Sequence, residues 1–215
     1  MVEWAHGNGE RMTPEAARAP RVALVVSSTR PVRVGGQLGV HLTQIIEGDH
    51  LGVEVVTIDL RELALPFLDE PRMASLGGYV HEHTRRWAAT ITDLDAMIVL
   101  TPQYNWGYPA PLKNAIDYLF AEWRGLPGLL VTYGTHGGTK CYDQITQVLD
   151  RVGVDLVKPG ICVYIPKDAY GPDDHLLSPA AVLAPDEADL RDRLAALVTK
   201  ARGRAAGRET TPAQV

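Results

Sequence analysis

Five short runs of apolar residues recur along the chain, and the segments between them place their apolar residues at helical spacing. Residues 21–27 have the sequence RVALVVS, a continuous run of the kind found in a parallel strand covered on both faces. In the next segment Leu38, Leu42 and Ile45 share one face of a helix. The pattern predicts strands at 21–27, 53–59, 95–100, 128–133 and 154–165, and helices at 37–47, 79–92, 111–122, 139–152 and 186–202.

Strands that alternate with helices predict a parallel sheet with helices on both faces and right-handed crossovers. About 180 residues are too few for an eight-fold barrel, which typically takes ~250. We therefore predict a single α/β domain over residues 21–203, with a doubly wound five-stranded parallel sheet in the order 2-1-3-4-5. Residues 1–20 are predicted to be a flexible arm and 204–215 a flexible tail, while 60–78 and 166–185 are predicted to be loops.

Composition narrows the classes of function. A net charge of −5 over 215 residues, with scattered Lys and Arg, argues against a nucleic-acid-binding face. No run approaches the ~20 apolar residues of a membrane span, and residues 1–20 lack a secretory apolar region. Two cysteines are too few for a disulfide framework. His81 and His83 do not face each other at this spacing on a helix, so we predict no metal site. Two reduced cysteines are typical of a cytoplasmic protein, and we predict that location.

Three unusual loops follow the first, third and fourth predicted strands. They span residues 27–36, 101–110 and 133–138. In the predicted topology all three emerge at the carboxyl edge of the sheet, where open α/β sheets bind ligands. Candidate chemistry is therefore expected at this edge.

The first loop combines hydroxyl groups with arginines. Ser28 and Thr29 precede Arg30 and Arg33, and the loop leads into a helix N-terminus, whose free N–H groups and dipole favour an anion such as phosphate. The alternative is a polar turn whose serines cap the helix. The loop matches neither G-x-x-x-x-G-K-[ST] nor G-x-G-x-x-G.

The other two loops offer aromatic rings and glycines. Tyr104 and Trp106 lie beside backbone donors, and a flat heteroaromatic ring needs both apolar faces and in-plane hydrogen-bond partners. The alternative is that Tyr104, Trp106 and Tyr108 pack beneath their own loop. The sequence G-T-H-G-G at residues 134–138 allows a close approach of backbone to a ligand. His136 could titrate near neutral pH, although a lone loop histidine is more often a hydrogen-bonding or space-filling residue.

These motifs resemble a known family. The sequence P-Q-Y-N-W-G-Y-P-A-P-L-K-N-A-I-D-Y-L at 102–119 is similar to the P-E-Y-N…P-x-x-L-K-N-A-I-D motif of the NAD(P)H-dependent FMN reductases. The sequence S-S-T-R-P-V-R-V-G at 27–35 is similar to the family's G-S-x-R phosphate loop. The third loop, with the glycine-rich sequence G-T-H-G-G-T-K at 134–140, is similar to a glycine-rich loop of the same family, and the three motifs occur in the family's order along the chain. The resemblance covers about residues 21–163 and implies a flavodoxin-like fold.

The resemblance also implies a bound FMN and a site made of binding residues, with no nucleophile or general base. The phosphate would lie among the first-loop residues with Gln37 near, the isoalloxazine along the middle loop, and its pyrimidine end at the third. The residues so implied are Ser28, Thr29, Arg30, Arg33 and Gln37, then Pro102, Gln103, Tyr104, Asn105 and Trp106, and finally Tyr133, His136, Gly137 and Gly138.

The chain departs from the family pattern at three points. Ser27 stands where glycine is common, Gln103 replaces the usual glutamate, and Trp106 with Gly107 replaces a pair of small residues, which should reshape the substrate face. The implied activity is hydride transfer from NADPH or NADH to the flavin N5 and on to a flat acceptor by a ping-pong mechanism, in a homodimer or homotetramer. A flavodoxin-type electron carrier and a flavin-free regulatory domain are the alternatives. The acceptor could be a flavin, quinone, azo compound, metal oxyanion or natural-product intermediate.

Overall fold

The computed structural model describes residues 18–209, and its centre is one all-parallel sheet. The strand order is β2-β1-β3-β4-β5, so the predicted fold class and strand order are confirmed. The five strands are β1 (Arg21–Val26), β2 (Glu54–Asp59), β3 (Ala96–Pro102), β4 (Pro127–Gly134) and β5 (Asp155–Tyr164).

Strand β3 runs two residues further than the sequence predicts. Thr101 pairs with Thr132, and Pro102 pairs with Tyr133. Proline is tolerated because it is the last residue of the strand, where its missing N–H removes only one ladder bond. Strand β5 pairs with β4 through a register shift, since Leu129 pairs with Val157 whereas Val131 pairs with Ile161.

Most predicted helices are present with shifted ends. The helix predicted at 111–122 ends at Asp117 and is followed by a short 3-10 turn at Ala121–Trp123. The predicted loops 60–78 and 166–185 each contain a short helix, at Leu60–Leu63 and Pro179–Leu183. The helices are α1 (Val34–Gly48), α2 (Leu60–Leu63), α3 (Glu82–Thr92), α4 (Ala110–Asp117), α5 (Thr139–Val152), α6 (Pro179–Leu183) and α7 (Glu187–Glu209).

Each face of the sheet buries its own core. Side chains of α1, α6 and α7, such as Leu42 and Leu194, pack on one face. Side chains of α3, α4 and α5, such as Trp87 and Ile116, pack on the other. The two cores fix the strand ends, and with them the loops at the carboxyl edge.

A buried carboxylate ties both ends of the described chain to the amino edge of the sheet. Asp95, whose side chain is fully buried, accepts two hydrogen bonds from Arg18, at 2.7 and 3.0 Å. It also accepts one from the Arg21 amide at 2.8 Å, and Arg208 lies 3.5 Å away. The prediction of a flexible tail from residue 204 is therefore wrong for 204–209, which are helical. Most of the predicted arm, residues 1–17, and residues 210–215 lie outside the described part.

Candidate functional site

The loops after β1, β3 and β4 meet around a cavity of about 400 Å³. This size falls within the range of small-molecule sites. The expected meeting of three loops at one edge is therefore observed. The cavity is lined by the predicted residues Ser28, Arg30, Arg33, Pro102, Gln103, Tyr104 and Tyr133, together with Val32, Val34, Gly134, Thr135, Tyr170 and Asp174.

Three hydroxyl groups cluster at one end of the cavity. The Ser28 hydroxyl lies 2.8 Å from the Tyr104 hydroxyl, so the first and middle loops are joined by a hydrogen bond. Tyr133 lies beneath them, only 3% exposed. Burial raises the pKa of the Tyr133 phenol, and neighbouring Tyr104 raises it further. Tyr133 therefore stays protonated at neutral pH and presents a neutral donor to a ligand.

The N-terminus of α1 opens on this cluster without a cap. The N-cap residue Arg33 makes no side-chain hydrogen bond to the first turn, and that turn holds no acidic residue. In contrast, Asp59 and Ser178 cap α2 and α6 with their side chains. Because the first amides of a helix have no partner within it, α1 offers N–H groups and a positive dipole end to an anion.

The two predicted arginines have different surroundings. Arg33 forms a two-pronged ion pair with Asp59 and also donates to the Ser28 carbonyl. Burial opposes the charge of Asp59, but the hydrogen bonds from Arg33 and the Arg61 amide lower its pKa. The positive charge of Arg33 is thus balanced, and Arg33 braces the loop. Arg30 is exposed at the cavity, with no carboxylate at ion-pair distance among residues 18–209.

Gln37, which the resemblance places near the phosphate, is not among the residues that line the cavity. Its amide donates to the Leu176 carbonyl at 3.1 Å and accepts from the Leu176 amide at 2.8 Å. Gln37 therefore clamps the segment 166–178, which returns over the first loop from the end of β5. Leu176 is buried at 5% exposure and anchors the same segment.

The segment 166–178 adds two cavity residues that the sequence analysis missed, Tyr170 and Asp174. Tyr170 is bridged to Leu176, so the clamp made by Gln37 also positions its ring. A signal was present in the sequence. This segment follows β5, and any loop after a parallel strand of the same sheet emerges at the same edge.

The middle loop contains a two-residue hairpin. Tyr104 and Gly107 exchange two backbone hydrogen bonds, each 2.9 Å long. The residues between them, Asn105 and Trp106, have φ values of 49° and 70°. Such a backbone costs a non-glycine residue about 1 kcal/mol. Both residues are exposed and neither lines the cavity.

The third loop brings backbone, and not side chains, close to the end of β4. Gly137 and Gly138 both have φ of 69°, and both are buried. His136 is exposed and is not among the lining residues, although its Nδ1 lies 3.2 Å from the hydroxyl of Thr135, which is. Thr29 also lies outside the lining. The first turn of α5, which follows this loop, is joined to the middle loop, because the Gln103 side chain accepts a hydrogen bond from the Cys141 amide at 3.1 Å.

Together these features define a doubly wound α/β protein with a pocket lined by hydroxyl groups and arginines at its carboxyl edge. Residues 20–169 match the model of the NADPH-dependent FMN reductase family, and the chain belongs to that family. An NAD(P)H-dependent FMN reductase of Saccharomyces cerevisiae is 36% identical over 156 residues, which cover 68% of this chain and 81% of the yeast protein. A quinone reductase of Escherichia coli is 37% identical over 68 residues, covering 29% of this chain and 36% of that protein.

Solved structures confirm the fold. FerB, a flavoenzyme NAD(P)H:(acceptor) oxidoreductase from Paracoccus denitrificans, superposes with a TM-score of 0.65 at 23% identity, covering 86% of this chain and 99% of that one. The match over residues 20–169 and the yeast relative confirm the predicted family, and FMN and NAD(P)H are the cofactor and reductant in the names of its members. Among residues 18–209, none of the helices is long and apolar enough to cross a bilayer.

Proposed function

We propose that this protein is an NAD(P)H-dependent oxidoreductase that binds FMN in the cavity formed by the loops after β1, β3 and β4. One observation carries the proposal. An uncapped helix N-terminus, two hydroxyl-bearing loops and an unbalanced arginine, Arg30, converge on a cavity of about 400 Å³. A phosphate needs the donors and the charge, and an isoalloxazine ring needs the volume.

The donors in this structure fit the phosphate of FMN. Ser28 and Arg30 stand beside the first turn of α1, and the added charge of Arg33 is already balanced by Asp59. A ligand with one phosphate, such as FMN, requires fewer cations than a dinucleotide with an extra phosphate, and Arg30 is the cation that this site offers it. We propose that Thr29 helps at the same end, as the resemblance implies.

The two other loops fit a flat ring. Pro102, Gln103 and Tyr104 form one wall, while Gly134 and Thr135 form the other. Backbone donors of residues 133–138 would stabilise negative charge on a reduced ring, as donors do in an oxyanion hole. We propose that Asn105, His136, Gly137 and Gly138 border the ring and do not hold the phosphate. Trp106, which does not line the cavity, is left out of this set.

When bound, FMN accepts a hydride, two electrons with one proton, from NAD(P)H and gives two electrons to an acceptor. The role of the chain is to bind and orient the reactants, so no residue acts as nucleophile or general base. We propose that the nicotinamide donor and the acceptor occupy the same face of the flavin ring one after the other, in a ping-pong mechanism. We also propose that quinones are among the acceptors. Two-substrate rate plots with intersecting lines would contradict a shared face.

Replacing Arg30 with glutamine should weaken FMN binding by about ten- to a hundredfold, because charged hydrogen bonds contribute about 1.5–3 kcal/mol. The measurement is a titration of flavin fluorescence. Arg86→Gln, which removes an exposed arginine on α3, is the matched control and should bind FMN normally.

The activity itself is tested on the unsubstituted protein. A yellow protein whose flavin band bleaches on anaerobic addition of NADPH, and returns on addition of a quinone, supports the reductase. A protein that holds FMN but is reduced slowly by both nicotinamides would be a flavodoxin-type carrier. A colourless protein that takes up no added FMN would contradict the proposal.

We also propose that the protein forms a homodimer or homotetramer through the segment 64–80. Phe67, Met73 and Leu76 are 83%, 70% and 56% exposed, and a dense apolar surface of this kind marks interaction sites. The segment is fixed in place. Asp69 accepts a hydrogen bond from the Tyr118 hydroxyl and pairs with His83, whose ring stacks on that of His81. The rings of His81 and His83 were predicted not to face each other because both residues were assigned to one helix. They stack because His81 precedes α3, so helical spacing does not apply to this pair.

Met73→Glu should therefore shift the assembly toward monomer, measured by sedimentation equilibrium. Burial of a charge at an apolar interface is costly, so we expect the dissociation constant to rise about tenfold or more. Val40→Glu is the matched control, because Val40 is 63% exposed on the outer face of α1. An unchanged assembly in Met73→Glu would remove this segment from the interface.

We propose a cytoplasmic location, as the sequence analysis predicted. Cys141 and Cys162 are both free thiols. Free thiols are typical of proteins in a reducing compartment. Fractionation of cells that produce the protein would test this.

A further inference from the structure

The tip of the middle-loop hairpin carries a backbone conformation that its sequence does not favour. A two-residue turn with positive φ at both central positions prefers asparagine followed by glycine. Here Asn105 occupies the first position, but Trp106 occupies the second with a φ of 70°, and Gly107 comes one residue later. A glycine at position 106 would adopt this backbone without strain.

The side chain of Trp106 is unfavourable for stability as well. It is 65% exposed, so most of a large apolar ring faces water. Strain and exposure therefore coincide at one residue, and neither is compensated by burial in the core. Strained residues of this kind concentrate at functional sites.

The hairpin that carries this ring begins at the wall of the cavity. Tyr104, its first residue, lines the cavity and is bonded to Ser28. Gln103 is bonded to the first turn of α5, and a β-carbon added to Gly107 would lie 3.4 Å from the Gln144 side chain. The hairpin is thus in contact with the first loop on one side and with α5 on the other, and these contacts fix the backbone that carries the indole.

We infer that Trp106 is a specificity-determining residue that stacks on planar aromatic electron acceptors at the mouth of the cavity. This inference rests on the proposed FMN reductase function. A quinone that accepts two electrons and two protons, becoming a hydroquinone, presents a flat face to the indole. Ferricyanide accepts one electron per ion and presents no aromatic face, so two ions are consumed per reduced flavin without use of the stack.

The experiment compares Trp106→Gly, Trp106→Ala and Trp106→Phe as FMN-loaded proteins. With menadione, a naphthoquinone, the KM of the glycine and alanine variants should rise about three- to tenfold, the value of one aromatic pair. Trp106→Phe should restore most of the affinity. The KM for ferricyanide, FMN affinity and the rate of flavin reduction by NADPH should stay unchanged in all three.

Stability provides an independent readout. Because glycine relieves the strain and alanine does not, Trp106→Gly should melt roughly 2–4 °C above Trp106→Ala. Tyr164→Ala, which removes another exposed ring at 58% exposure, should leave both KM values unchanged.

Three results would overturn the inference. Equal losses with menadione and ferricyanide would mean a general effect on electron transfer. A fall in FMN affinity or in flavin reduction would make Trp106 part of the cofactor site, and a change of molecular mass in solution would make it part of a subunit contact. If the unsubstituted protein is not reduced by NADPH at all, the proposed function fails first, and that outcome is visible before any variant is made.

Discussion

Gly138→Ala is expected to lower the free energy of unfolding by about 3 kcal/mol, the sum of left-handed strain and overpacking. Gly138 has a φ of 69°, and an added β-carbon would lie 2.8 Å from both the Thr132 hydroxyl and the Tyr133 amide nitrogen. The amide belongs to the central sheet and cannot move aside. Urea unfolding measures the change, which corresponds to a melting temperature lower by roughly 6–12 °C.

Gly137→Ala is the matched control for this prediction. Gly137 has the same φ of 69°, but its added β-carbon would lie 3.6 Å from the nearest atom, the Cys162 carbonyl oxygen. It therefore carries the strain without the clash, and should cost about 1 kcal/mol. Equal losses in the two variants would mean that contact with the end of β4 is unimportant.

Gly35→Ala should lower the free energy of unfolding by about 1–2 kcal/mol, as expected when a packed core is overfilled. An added β-carbon would lie 2.6 Å from the Tyr133 hydroxyl. Because Tyr133 is buried beneath α1 and lines the cavity, its hydroxyl can move away only toward the cavity. Displacement of a cavity-lining phenol should also weaken FMN binding, which a fluorescence titration would detect along with the unfolding curve.

The neighbouring glycine separates this clash from a general effect on α1. Gly36 has no atom within 4 Å of an added β-carbon, so Gly36→Ala should stabilise the helix by about 0.5–1 kcal/mol. The double variant Gly35→Ala with Tyr133→Phe lacks the offending hydroxyl and leaves the ring carbon at 3.6 Å. It should recover the stability, and a double variant as unstable as Gly35→Ala alone would refute the assigned contact.

The sheet was predictable because its strands are long apolar runs that alternate with amphipathic helices. The runs around Leu24 and Ile98 are buried on both faces, and such runs have few other environments available. Helix ends were less predictable. The apolar stripe of α4 continues through Leu119 to Trp123, although the helix stops at Asp117, because tertiary packing buries the last part of the stripe as a turn.

Half of the candidate site was predictable from loop chemistry, because polar and glycine-rich residues after buried strands must meet at one edge. The partners that engage those residues were not. Asp59 balances Arg33 from the next strand, and Leu176 engages Gln37 from 139 positions away. The positive φ values of Asn105 and Trp106 were not predictable either, because glycine favours such a backbone and the glycine of this loop is Gly107.

The buried carboxylate of Asp95 has a practical consequence for handling the protein. It fixes Arg18 and Arg208 at the amino edge of the sheet, and the seven residues of β3, roughly 20 Å of extended chain, separate that edge from the cavity. Both ends of the described fold therefore leave on the side opposite the pocket. Tethering the protein to an electrode or resin through either terminus should orient the redox face toward the solution.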